Sequence, residues 1–508
     1  VTPELARDVA LAQKVCARPV VRRVLDRATG AEEFVAIPCG SRRESVCPPC
    51  AQKARLIRMR QCAEGWHRST EPDPRLDDQD PGLTADDDGQ DTPAAAGQRR
   101  IRSTRRRDPV DLPRVPAEDR TIAQVFTAAD GTSYRPSMFL TLTLPSYGRI
   151  RNGVPVDPGR YDYRRAALDA LHFAKLVDRF WQNLRRCAGF RVQYFAAVEP
   201  QKRLAPHLHA AVRGAIPRQL LRQVVQATYA SVWWPPYDVP VFVDRVPVWD
   251  GHDYVDPDTG MVLPTWDEAV DAIDDSDGPA HVVRFGEQLD MRGIIAPSEE
   301  ARRAVRYLTK YLAKSIADPL NPVDDEDAPQ DPEREAHIDR LHREVLWLPC
   351  SPTCANWLRY GVQPKNPGPG LIPGRCFSPA HDRETLGVGG RRVLVSRDWS
   401  GKTLTEHRAD RAQVVREALT AAGMTAPDIE RLAATVTLPD GTPRFVWSAL
   451  PDLDTHTYAR IVLATVIERN RWRSQYASAV ETLSATGAPP PTRGDRTPGN
   501  PYGTGVRP

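Results

Sequence analysis

The chain has 508 residues and a formal net charge of only +3. That length is too great for one ordinary core, so two or three domains are expected. The near-neutral total excludes any reading from overall charge and leaves the segregation of acidic and basic blocks to speak about partners. No run of about 18 apolar residues offers a membrane span. The opening stretch VTPELARDVALAQKVCARPV carries acids and lacks the apolar centre of a signal peptide, which points to the cytoplasm. The 48 prolines, about twice ordinary usage, predict long linkers and tails.

Residues 1–70 read as a basic, zinc-ribbon-like module. Cys39, Cys47 and Cys50 have ribbon spacing with one ligand missing. Cys16 supplies it if the VVRRVL and EFVAIP runs between them pair as strands; Cys62 and His67 are rivals. In a reducing compartment such clusters read as metal ligands rather than disulfides. Residues 71–120 open acidic (DDQDPGLTADDDGQD) and turn basic (QRRIRSTRRRD), with little to bury, and are expected to be a disordered linker.

From 121 to 344 strands alternate with amphipathic helices. MFLTLTLP at 138–145 predicts a strand with Phe139, Thr141 and Thr143 on one face. Residues 163–186 predict a helix striped by Leu168, Leu171, Leu176 and Phe180. Strands follow at 191–200 and 206–214, joined by a hairpin at QKRLA. Helices are expected at 217–234 and 299–318, with a proline- and aspartate-rich insertion at about 235–283.

A C-terminal zinc-finger and helical DNA-binding region is expected at 345–483, followed by a disordered tail at 484–508. Cys350, Cys354, Cys376 and His381 offer a second set of four ligands, so two structural Zn²⁺ ions are expected. The run GRRVLVSRDWSGK offers Arg391, Arg392, Arg397 and Lys402 to phosphates and Trp399 as a stacking platform for a base. The plainer alternative is a surface strand with arginine caps. Residues 458–483 predict a long helix, and Cys187 stands alone as a core or surface thiol.

The chemistry centres on APHLHAAVRG. Side chains alternate along a strand, so His207 and His209 share a face while Leu208 enters the opposite layer. Two neighbouring imidazoles chelate a divalent metal, and Glu199 at the end of the preceding strand reaches the same ion through the hairpin. Alone, His-x-His on a strand is more often incidental. Downstream, Tyr307 and Tyr311 are four apart and share a helix face; Lys310 and Lys314 share an adjoining one. Alone, these describe an ordinary amphipathic helix. Beside a metal, a tyrosine can attack a phosphodiester and form a covalent phosphotyrosine, the metal stabilising the developing charge.

FLTLTLP at 139–145, PHLH at 206–209 and YLTKYLAK at 307–314, in that order, resemble the three motifs of HUH endonucleases of the rolling-circle replication initiator type. The match covers about residues 121–320. CPPCAQKARLIRMRQCAEGWH, CANWLRYGVQP and GRRVLVSRDWSGKTLTEHRADR are similar to replication initiators of actinobacterial plasmids and integrative elements. The resemblance implies an α+β fold: an HUH core of antiparallel sheet flanked by helices, ferredoxin-like or RRM-like, with flanking small zinc-binding modules and disordered linkers. It implies nicking of one strand at a replication origin, a 5′-phosphotyrosine link and a free 3′-OH primer. His207, His209 and Glu199 would hold Mg²⁺ or Mn²⁺. Motif register makes Tyr311 the nucleophile, with Tyr307 as a second nucleophile or a positioning residue. Lys314 would contact phosphate or metal-bound water, with Lys310 beside it. The implied partners are origin DNA, double- and single-stranded, and the host helicase and DNA polymerase.

Three alternatives stand beside this reading. A conjugative relaxase or transposase would use the same chemistry, but relaxases commonly place tyrosine before the histidine motif and a third histidine after it. A zinc-dependent DNA-binding regulator would need no catalysis. A zinc hydrolase would need a pattern such as HExxH, which is missing here.

Overall fold

Three central segments, SYRPSMFLTL, YFAAVEP and PHLHAAVR, are rich in β-branched, aromatic and small apolar residues or alternate them with polar ones, and each forms a strand. The computed structural model of the chain describes residues 2–66, 68, 126–127, 131, 133–188, 192–274, 278–296, 298–310, 331–389, 392–421, 436–450 and 453–485. The linker expected at 71–120 lies outside the described residues, as does the tail beyond Ala485. The fold mixes helices with antiparallel sheets, and among the described residues no helix is long and apolar enough to cross a membrane.

The chain divides into two compact units, and the division does not follow the linear order expected from sequence. One unit is Val1–Arg68 with Val305–Ser315 and Asp398–Pro508; the other is Ser69–Ala304 with Ile316–Arg397. The segment from Cys350 to His381, expected in a C-terminal domain, therefore belongs with the central sheet. Its apolar residues explain why: Cys354, Trp357, Tyr360 and Ala380 join the same core as the sheet and its helices.

That sheet orders its main strands Leu289–Ala296, Ser133–Leu142, Pro206–Arg213, Tyr194–Pro200 and Val393–Val395, all antiparallel. Alternation sorts the side chains. Met138, Leu140 and Leu142, Leu208, Ala210 and Val212, and Tyr194, Ala196 and Val198 all enter the core. The helix Tyr163–Ala188 supplies Leu168, Leu171, Leu176 and Phe180 to that core, and Arg218–Ala227 adds Leu220, Leu221, Val224 and Val225. Each such side chain contributes about 1.5–3 kcal/mol when fully buried. The opposite face carries Thr141, Glu199, His207 and His209.

The helix expected at 217–234 stops at Ala227. Thr228 adopts an extended conformation, its hydroxyl donates to the Val224 carbonyl (2.6 Å), and it accepts from Asn183 (3.0 Å). Tyr229–Val232 then pairs with His281–Arg284 as a two-stranded sheet. The residues TYASV are β-branched, aromatic or small, and a strand partner outweighs the helical period.

In the other unit the two ends of the chain make one body. Val20–Asp26 pairs with Glu32–Ile37 on one side and with Phe445–Ala449 on the other. Arg444 grips Asp26 through two hydrogen bonds, 2.7 and 2.9 Å. The helix Pro3–Ala12, capped by the Thr2 hydroxyl, packs Ala6 and Ala10 against Ala459, Val462 and Val466 of the long helix Thr455–Ala485.

Candidate functional site

Glu199, His207 and His209 are placed by strand register. His207 lies directly opposite Glu199, and His209 lies between Ala197 on one side and Thr141 on the other. The turn that sets this register spans Gln201 to Ala205, with Leu204 in the left-handed region (φ 69°). Arg203 anchors the turn by donating to the carbonyls of Leu144 and Pro145, both at 2.7 Å. All three site residues are buried.

The hydrogen bonds prepare the imidazoles to coordinate. His207 Nδ1 donates to the Glu199 carbonyl (2.8 Å); a carbonyl only accepts, so Nε2 of the neutral ring presents its lone pair. His209 Nδ1 lies 3.0 Å from the Thr141 hydroxyl, and the two Nε2 atoms face each other at 2.6 Å. Whichever tautomer His209 takes, a proton or a cation must lie between those nitrogens. A Glu199 carboxylate oxygen is 3.7 Å from His209 Nε2. Burial pushes His207 down to about 4, the Arg203 charge adding to it against the bond to the Glu199 carbonyl. Burial pushes His209 down to about 2, with the charge of His207 adding. Both rings are therefore neutral near pH 7, the form that binds metal. The donor set, two imidazole nitrogens and one carboxylate, suits a divalent ion with open positions. Thr141, which fixes the outer nitrogen of His209, was read from sequence only as a strand residue. The register that brings it beside His209 is not visible in one chain segment.

Two four-ligand groups stand apart from this site. The ligand atoms of Cys16, Cys39, Cys47 and Cys50 all lie within 4.8 Å of one another, and so do those of Cys350, Cys354, Cys376 and His381. In the first group the Val20–Asp26 and Glu32–Ile37 hairpin brings Cys16 and Cys39 together, and Cys47 and Cys50 flank the start of the helix Pro48–Trp66. Cys16 and Cys47 sulfurs are 3.9 Å apart, and Cys350 and Cys376 sulfurs 4.0 Å. A tetrahedron with metal–sulfur bonds of about 2.3 Å has edges of about 3.8 Å; a disulfide would bring the sulfurs to about 2.05 Å. His381 Nδ1 donates to the Val345 carbonyl (2.8 Å), leaving Nε2 to face Cys354 Sγ at 3.5 Å. Of the rival ligands, Cys62 is fully buried outside the group, and His67 lies outside the described residues.

A fourth group, Glu64, His407 and Asp410, also has clustered ligand atoms. Its charges are compensated internally. Lys402 pairs with Asp410 (2.7 Å) and approaches Glu64 (4.0 Å), while Arg60 holds Glu64 at 2.8 Å. A metal there would have to displace a lysine.

Tyr307 and Lys310 lie on the helix Glu299–Lys310, where Leu308 and Thr309 are buried and Tyr307 is 44% exposed. Tyr311 and Lys314 lie outside the described residues, as does Arg391. The remaining expected DNA contacts fare unequally. Arg397 is exposed. Arg392 is half-buried and donates to the Val198 carbonyl (3.3 Å). Lys402 is engaged by Asp410. Trp399 is a correction: it is fully buried, its indole N–H donates to the Cys62 carbonyl (3.2 Å), and its ring packs edge-on against Trp66. A β-carbon at Gly65 would collide with that ring. An apolar ring so enclosed holds its own unit together and cannot stack on a base.

No solved structure matches the chain. A replication initiator protein of Streptomyces ambofaciens is 30% identical over an alignment of 217 positions that takes in 35% of this chain. The chain spans 42% of that relative's length. The family model RepSA, described as replication initiator protein, pSAM2, matches residues 3–450. The chain belongs to this family of replication initiator proteins.

Proposed function

We propose that this chain starts plasmid replication by nicking one strand of origin DNA, and that its central sheet is an HUH endonuclease core. The observation that carries the reading is the convergence of His207, His209 and Glu199 on adjacent strands, with both imidazoles buried, neutral and fixed through their outer nitrogens. These residues would hold Mg²⁺ or Mn²⁺, which when bound stabilises charge on a scissile phosphate. Tyr311 is the proposed nucleophile. Its oxygen bonds to phosphorus, the bond from phosphorus to the 3′ oxygen breaks, and that oxygen takes up a proton to become the 3′-OH primer for rolling-circle synthesis. The 5′ phosphate stays on tyrosine, so rejoining needs no nucleotide cofactor. Lys314 and Lys310 would favour the phenolate and contact phosphate, and Tyr307 would serve as a second nucleophile or a positioning residue. The two cysteine groups would hold structural Zn²⁺, and host helicase and polymerase would extend the primer.

The test is covalent capture. With Mn²⁺ and a single-stranded origin oligonucleotide, the unmodified chain should form an adduct that Tyr311→Phe abolishes. An adduct that survives in Tyr311→Phe and vanishes in Tyr307→Phe would reassign the nucleophile. No adduct from the unmodified chain would leave a zinc-dependent DNA-binding regulator as the reading.

A further inference from the structure

In the unit built from both chain ends, the helix Leu404–Ala421 packs against both Pro48–Trp66 and Thr455–Ala485. Lys53 comes from one helix, Arg408 and Arg411 from the next, and Arg469 and Arg473 from the third; all five side chains are exposed. Spacings of three and four residues put each arginine pair on one helix face. The charges are near enough to act on one another. Partial burial and the charges of Arg469, Arg411 and Arg408 hold the Lys53 ammonium below the ordinary lysine value. Partial burial and the charges of Arg473 and Arg411 do the same to Arg469.

By contrast, on the helix Pro48–Trp66 Arg60 has Glu64 and Arg58 has the Gln61 amide oxygen (2.8 Å), and Lys402, just before the helix Leu404–Ala421, has Asp410. Among the described residues no carboxylate lies within ion-pair distance of Lys53, Arg408, Arg411, Arg469 or Arg473. Arg473 bonds instead to the Gln13 carbonyl (2.7 Å). Like charges gathered without an acid repel one another, and an external polyanion removes that repulsion.

We propose that this five-cation face, contributed by three helices, is a phosphate-backbone contact for duplex DNA that anchors the protein without reading sequence. The inference rests on the reading that the chain acts on origin DNA, and it adds a surface distinct from the metal centre. Duplex is favoured over single strand because the face itself is made only of lysine and arginine, whereas single-strand sites add stacked aromatic rings, and Trp399, the ring lying among arginines in sequence, is enclosed in the core.

The experiment titrates the full-length chain with an origin duplex, an unrelated duplex and a single strand across a salt series. Each phosphate contact adds about 0.9 to the slope of log affinity against log salt. Arg411→Gln with Arg469→Gln should lower that slope by about 2 on both duplexes, and each single variant by about 1. Arg411→Lys with Arg469→Lys should restore it. An unchanged slope in a variant that keeps its zinc content and melting temperature overturns the proposal, and so does a fall confined to single-stranded DNA or to the origin sequence. If the double variant fails to fold, the single variants decide. The nicking reading fails separately, when the unmodified chain gives no covalent adduct while the salt slopes behave as stated.

Discussion

The sheet site and the cysteine groups both gather metal-binding atoms, but they are built in opposite ways. Glu199, His207 and His209 are three donors on the middle of a sheet, positioned by register between strands that share a large core. The cysteine groups are four donors each, carried on hairpin ends, helix starts and loops. Four ligands close a tetrahedron and leave no place for a substrate; three leave positions open. Rigid backbone holds the three-donor site in shape, whereas on the proposed reading a bound metal would let the four-donor groups hold irregular backbone together. On the proposed reading, ligand count and supporting structure together would separate a reacting metal from a structural one.

Breaking a closed site should have the largest effect. Cys354→Ser is expected to remove about one zinc equivalent and to destabilise the chain by more than about 4 kcal/mol, as loss of a structural metal does. Elemental analysis and thermal melting measure both. Retention of the full metal complement at the wild-type melting temperature would remove the structural assignment. Breaking the open site should separate activity from stability. His209→Ala is expected to weaken Mn²⁺ binding by more than about 100-fold and to abolish metal-dependent nicking, while the zinc content stays unchanged. Unaltered nicking would show that the sheet donors do not hold the reacting metal. The mildest change sharpens the role of the outer hydrogen bond. Thr141→Val keeps all three donors but removes the partner of His209 Nδ1, and should weaken Mn²⁺ by about 10-fold. A titration with wild-type affinity would reduce Thr141 to a packing residue.

Much of the sheet was legible because its periods are strict. In PHLHAAVR the two histidines flank one leucine, so the faces of His207, His209 and Leu208 follow from strand geometry without tertiary information. The Tyr163–Ala188 helix was legible from its leucine stripe. Other elements misled for physical reasons. TYASV continued an amphipathic helical pattern, yet Thr228 diverted its hydroxyl to Val224 and the residues beyond it found a strand partner. Trp399 sat among arginines, which suggested a wet surface. Its neighbours in space are Trp66, Gly65 and the Cys62 carbonyl, some 330 residues earlier in the chain.

By itself the sequence determined which donors were available, their alternation on strands, and the cysteine spacings, because these depend on local period and residue chemistry. Tertiary structure alone decided that Cys16 completes the first cysteine group and that the second belongs with the central sheet. It also set Thr141 beside His209 and brought five exposed cations together on three packed helices. Each of these outcomes depends on contacts between segments tens to hundreds of residues apart, which are selected by the burial of shared apolar surface and leave no periodic trace in the chain.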